Sequence, residues 1–305
     1  MGTRILRAHG VILAAALSML LAGSPRTHAQ DTSPAPVTSH VDTATRADDA
    51  ARARIVDPKP LSPTARDARN PAYQLYLEYD LPVLGIGLVF AASRLLLEQK
   101  AYCAPRCDAQ NLNALDRTTA GVWRPAWQRT SDAGIAVLAG GAALLLFLDE
   151  GFVAGLNDGV VVAESALAAM ATTSLMTLAV GRPRPFLYGD EAPLGKRNGA
   201  DAGLSFLSSH TATAFATATA LFVTMRRLHP RDGRVFVVAG AGALLASLVA
   251  AARVLGGMHF ITDAVGGAII GMSTGVLVPA LHDAPLRIVP SASARHRGLS
   301  VVARF

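Results

Sequence analysis

The sequence predicts an all-α protein, a bundle of six apolar helices suited to a membrane. Composition is the first observation. Of 305 residues, 51% are hydrophobic and only 16% are charged, a balance that favours a membrane bundle over an ordinary soluble enzyme. The second is the pattern: six long apolar segments with no strand-like alternation. The third is their content of Gly, Ala, Ser and Thr, which lets helices approach closely within a bilayer. The formal net charge of +6 sits in loops and in the N-terminal tail. It forms no basic stripe interleaved with aromatics, so a nucleic-acid partner is not expected.

In chain order, residues 1–29 read as a signal peptide. Arg4 and Arg7 precede a short apolar core, Val11 to Gly23, and Thr27-His28-Ala29 is an acceptable cleavage site before Gln30. That core is short for a spanning helix; the alternative is an uncleaved anchor. Residues 30–72 are rich in Pro, Ser, Thr, Asp and Arg, which predicts a disordered tail. The main domain is expected over 73–282 and a C-terminal tail over 283–305.

The apolar segments are Leu81–Leu97, Gly134–Leu148, Val160–Val180, Thr211–Met225, Val235–Ala252 and Ile261–Leu281. Arg94 and Glu164 fall inside two of them, where a charge must face the bundle interior and is expected to serve packing or an internal ion pair. Cys103 and Cys107 stand four apart with no further thiol in the chain. In an exported loop they are expected to form a disulfide; free thiols are the alternative. Asp108, Asn111, Asn113 and Asp116 lack the spacing of a calcium loop and are expected to cap turns and short helices. The polar end after Leu281 leaves room for a terminal strand or small hairpin.

Chemistry concentrates at three segment boundaries. Arg182 and Arg184 lie in Gly181-Arg182-Pro183-Arg184-Pro185, where the prolines stop the preceding helix. Ser208, Ser209 and His210 precede the fourth segment, and a helix N-terminus offers amides and a dipole to an anion. Arg253 lies before Gly256-Gly257, a turn that would fold it towards His259. His259 and Asp263 are spaced for one face of a helix, so the carboxylate would orient the imidazole. Each feature alone has a structural explanation, as a cap, a satisfied pair or a membrane-flanking basic loop. Together they make an anion-binding reaction centre.

These blocks resemble those of the type 2 phosphatidic acid phosphatase (PAP2) superfamily, whose pattern is Lys-x6-Arg-Pro, Pro-Ser-Gly-His and Ser-Arg-x5-His-x3-Asp. Arg184-Pro185 matches the first block, Ser208 and His210 the second, and Arg253, His259 and Asp263 the third. The chain departs from the pattern at Thr177 (for Lys), Leu207 (for Pro), Ser209 (for Gly) and Ala252 (for Ser). The resemblance implies a six-helix transmembrane bundle and a phosphatase without metal or cofactor. His259 would be the nucleophile, Asp263 its orienting partner and His210 the proton donor. Arg184, Arg253, Ser208 and Ser209 would hold the phosphoryl oxygens, with Arg182 as a substitute for the lost lysine. The implied partner is a lipid phosphate or pyrophosphate at the inner membrane of a bacterium, with the site facing the periplasm. The alternatives are a soluble exported acid phosphatase of the same superfamily and a catalytically silent membrane binding protein. A haloperoxidase of the superfamily is disfavoured by chain length. The sequence is silent on oligomeric state.

Topology is in conflict. The loop with Arg226, Arg227, Arg231 and Arg234 argues for a periplasmic site by the positive-inside rule. The basic loop from Lys100 to Arg129, and a cleaved signal followed by six spans, argue the reverse.

Overall fold

In the computed structural model the described residues are 71–75, 77–96, 100–283, 286–293 and 296–303. The expected signal peptide and most of the expected tail lie outside them. The helices are α1 (Leu77–Leu96), α2 (Ala114–Arg117), α3 (Pro125–Glu150), α4 (Phe152–Val180), α5 (Leu194–Arg197), α6 (Ser209–Leu228), α7 (Arg234–Leu255) and α8 (Ile261–Asp283). Short 3-10 turns occupy Ala109–Asn111 and Pro185–Tyr188. A terminal antiparallel hairpin pairs β1 (Leu286–Ser293) with β2 (His296–Ala303), Leu286 opposite Ala303 and Ser293 opposite His296. The six apolar segments fall on α1, α3, α4, α6, α7 and α8.

Helix ends reflect local chemistry. Gly181, with φ 62°, closes α4 in the left-handed conformation and returns its amide to the Thr177 carbonyl. Ser208 caps α6 by accepting from the Thr211 amide. Two of the four residues expected to cap turns do so: Asp108 accepts from the Gln110 amide at 2.9 Å, and Asn113 from the Asp116 amide at 2.9 Å, whereas the Asp116 carboxylate accepts from Arg182 and Thr262.

The core is centred on α6, which packs against α3, α4, α7 and α8. Its Ala212, Ala214, Ala216 and Ala220 are fully buried. Small residues on both sides make this possible. A Cβ at Gly271 of α8 would overlap the Ala212 carbonyl, and one at Gly275 would stand 2.7 Å from Thr219 Cβ. Such backbone proximity is the usual device of helix packing in membranes.

Four helices among the described residues are long and apolar enough to cross a membrane: α3, α4 (counted through the following turn to Tyr188), α7 and α8. Of the six expected transmembrane helices, these four meet that length and composition. In α1 the apolar stretch is shorter, Asp80–Ser93. α6 is threaded with Thr and Ser, and a helix enclosed by protein needs no lipid-facing apolar surface. Leu144, Leu148, Val237, Leu244 and Ile269 point outward from the spans, as lipid-facing side chains do.

Candidate active site

The C-terminal ends of α4 and α7 and the N-terminal ends of α6 and α8 bring the predicted residues to one end of the bundle. Turns do most of the positioning. Gly257, with φ 73°, takes the chain from α7 to α8, and a Cβ there would collide with the Val122 carbonyl. The Met258 amide donates to the Arg253 carbonyl at 3.1 Å, folding that arginine's helix end against the histidine turn.

His259 is fully buried, and its Nδ1 lies 2.7 Å from the Ser205 carbonyl. A carbonyl only accepts, so Nδ1 carries the proton in the neutral ring. Nε2 then holds the lone pair.

The relation between His259 and Asp263 differs from the expected helical pair. His259 precedes α8, which begins at Ile261. Asp263 Oδ2 accepts from the Phe260 amide at 3.0 Å and from the Ser205 hydroxyl at 2.6 Å, while Oδ1 accepts from Arg182 Nη1 at 2.6 Å. The carboxylate caps the start of α8 and reaches the imidazole through Ser205, whose hydroxyl meets Asp263 and whose carbonyl meets His259. A carboxylate that caps its own helix curls towards the N-terminus, which removes it from the geometry of an i, i+4 pair.

Arg182 is committed to carboxylates of the protein itself. Besides Asp263 it donates to Asp116 Oδ2 at 2.7 Å and Thr262 Oγ1 at 2.9 Å, and its guanidinium lies 4.3 Å from the centre of the Phe260 ring. Asp116 also accepts from the Thr262 amide at 3.1 Å and hydroxyl at 2.6 Å. Burial alone would raise the Asp116 carboxyl, but the bonds from Arg182, Thr262 and Asn113 outweigh it and hold it below the ordinary value. Arg182 therefore positions Asp263 and ties the 100–124 loop to the site.

Arg184 is buried. Its Nε donates to the Asp201 carbonyl at 2.8 Å and its Nη1 to the Met258 carbonyl at 3.0 Å, one residue from His259. Asp201 is also partly buried, which would raise its carboxyl, yet Arg184 and Lys196 hold it below the ordinary value.

His210, in the first turn of α6, places Nε2 2.8 Å from Asp132 Oδ1. Arg253 Nη1 lies 3.8 Å from that same oxygen and donates to Ser131 Oγ at 3.3 Å. Asp132 thus links the second and third motif blocks. Ser208 and Ser209 are buried, and the Ser208 amide donates to the Asp263 carbonyl at 3.1 Å, closing the ring of contacts.

Thr177 explains one departure. Fully buried, its hydroxyl lies 2.6 Å from the Thr173 carbonyl and 3.3 Å from the Leu207 carbonyl, beside the Ser208 block. The position is closed by packing, and Arg182 does not stand in for a lysine there.

Residues 158–286 match the family model described as the PAP2 superfamily. That segment is similar to the superfamily and covers less than half of the 305-residue chain. It contains every predicted site residue. Asp116, Ser131 and Asp132 lie outside the matched segment and complete the site from the preceding helices. Among solved structures the chain is similar to a transmembrane PAP2 type phosphatidylglycerolphosphate phosphatase from Bacillus subtilis, at 19% identity and a TM-score of 0.40, over 67% of this chain and 96% of that one. No curated protein matches the chain.

Sequence reasoning missed Asp132 and Ser205 as site residues. Asp132 carried one signal, a carboxylate at the threshold of an apolar segment. Ser205 carried none, since half of its contribution is a backbone carbonyl.

Proposed function

We propose that this chain is a phosphatase that hydrolyses phosphate monoesters or pyrophosphates of membrane lipids through a phosphohistidine on His259. The observation that carries the reading is the Nδ1–H bond of His259 to the Ser205 carbonyl, because it leaves Nε2 as the nucleophilic nitrogen. Nε2 attacks phosphorus, and the bond from phosphorus to the leaving oxygen breaks. His210 protonates that oxygen; with Nε2 engaged by Asp132, the proton it delivers is carried on Nδ1. Neutral His210 then takes a proton from water, whose oxygen attacks the phosphohistidine and frees phosphate and His259. Arg184, Arg253, the Ser208 side chain and the Ser209 amide supply donors for the phosphoryl oxygens, together with the α6 dipole. These charges serve the role a metal ion would otherwise fill, so the chemistry needs none. Asp263, Ser205 and Arg182 act by holding the imidazole.

The test is phosphate release from a lipid phosphate by the purified chain, with acid-labile, base-stable phosphoprotein trapped early in turnover. His259→Ala should lose both signals. Turnover that survives this change would end the proposal.

The site end is further proposed to face an oxidising compartment. Cys103 and Cys107 form a disulfide, and Cys107 packs in a cluster with Phe186, Leu187 and Met258 beside the site. Ala72 and Tyr73, whose amides donate to Asp158 near the start of α4, then lie towards the inner side. Because α1 joins Tyr73 to the loop that carries the disulfide, this requires that Val11–Gly23 does not export the residues after it. Single cysteines at 190 and 230 in a Cys103/Cys107-free background decide it: an impermeant thiol reagent should label 190 in whole cells and spare 230.

A further inference from the structure

A second polar cluster lies far from the phosphoryl site. His282 is in the last turn of α8, while Asp263 is in its first; at 1.5 Å per residue the two are about 28 Å apart along the helix. His282 Nε2 lies 3.1 Å from Glu164 Oε2 on α4 and 3.6 Å from Asp80 Oδ1 on α1. One ligand atom from each of the three side chains lies within 4.8 Å of the others.

Glu164 has 3% of its surface exposed and Asp80 8%. Glu164 uses Oε2 towards His282, and its Oε1 is buried and accepts no hydrogen bond among the described residues. A buried carboxylate oxygen left in this way costs on the order of a few kcal/mol unless a cation or donor meets it. On the other side of the imidazole, Nδ1 lies 2.9 Å from the Val278 carbonyl. That bond sets Nε2 as the lone-pair nitrogen of the neutral ring and fixes the ring plane, as outer partners of metal-binding histidines do.

Distance and charge agree. A tetrahedral cation with bonds of about 2.0–2.1 Å sets its ligand atoms about 3.3–3.4 Å apart, and the two histidine distances bracket that value. Two buried carboxylates and an imidazolium carry a net charge of −1. With a neutral imidazole and a divalent cation the cluster is neutral, the cheaper state inside a bundle.

We propose that Asp80, Glu164 and His282 form a site for a divalent transition-metal cation that pins α1 to α4 and α8. One imidazole and two carboxylates suit zinc, manganese or ferrous iron. The site is structural. It is remote from His259 and takes no part in phosphoryl transfer.

The experiment uses the full chain in detergent, stripped with a chelator and then freed of it. Titration with Zn²⁺ should give one equivalent retained per chain and a higher Tm, and Co²⁺ should give visible d–d bands. Glu164→Gln and His282→Ala should each lower zinc affinity at least about tenfold and abolish the zinc-dependent rise in Tm. Zinc retention by wild type no greater than by Glu164→Gln would overturn the proposal in favour of an imidazolium bridging two carboxylates. Should the variants not fold, wild type alone decides: no stoichiometric zinc and no Co²⁺ bands would also overturn it. Neither readout uses a phosphate ester, so the outcome is independent of the phosphatase reading.

Discussion

The two ends of the bundle handle buried charge differently. At the His259 end, carboxylates and guanidinium groups interlock. Asp116 and Asp263 share Arg182, and Asp132 stands between His210 and Arg253. At the opposite end, Asp80 and Glu164 meet one histidine. The first arrangement carries its own counter-charges and can fix side chains in place before a substrate arrives. The second holds more negative than positive charge and gains from an added cation. On the two proposals made above, the site for a transient anion has its charged side chains already paired, whereas the site for a resident cation is left with negative charge in excess.

Four substitutions would break or sharpen that contrast. The largest effect is expected at His259, the proposed nucleophile. His259→Ala should lower kcat by at least about a thousandfold while leaving the zinc-dependent Tm of the opposite end unchanged. A parallel loss of both would mean that the two ends are not independent.

Arg182→Ala comes next. It leaves Asp116 and Asp263 buried around a missing guanidinium, and removing one partner of such a pair costs about 3–5 kcal/mol, read as a lower denaturant midpoint at neutral pH. Acid should mimic part of this loss. The Asp116 carboxyl is held below its ordinary value in the folded state, so its contribution is complete above the unfolded carboxylate range near about 4. It fades as pH falls through the lower folded value. An acid limb of the stability curve that is the same in Asp116→Asn as in wild type would contradict the assignment.

Thr177→Lys tests whether the family lysine could be restored. In this closed position the longer side chain should cost about 1–3 kcal/mol by overpacking and should not tighten vanadate inhibition. Stronger inhibition with unchanged stability would mean that the pocket opens towards the anion after all.

The smallest effect is expected at Asp132→Asn. Its bond to His210 survives in neutral form, so kcat should fall by about tenfold, with the pH–rate profile moved and KM little changed. A change in stability alone, with the pH profile unmoved, would mark Asp132 as structural only.

Much of this was legible in the sequence. The six segments, the turn at Gly256-Gly257, the caps at Asp108 and Asn113, and the Cys103–Cys107 pairing rest on local chemistry between residues a few positions apart; the stop expected at Pro183 and Pro185 falls earlier, at Gly181. So do the motif residues Arg184, Ser208, His210, Arg253, His259 and Asp263, because internal spacing is a property of the chain. What tertiary structure alone decided are the contacts made across it. The Ser205 carbonyl replaces Asp263 at His259, because Asp263 is drawn back to cap α8. Arg182 serves two carboxylates, one of them 66 residues away. Asp132 joins two motif blocks from a helix outside both. Asp80, Glu164 and His282 meet from three helices with no local spacing to announce them. Sequence determines where helices begin and end through nearest-neighbour bonding, whereas partners for a buried charge are set by how the helices pack, and packing depends on every helix at once.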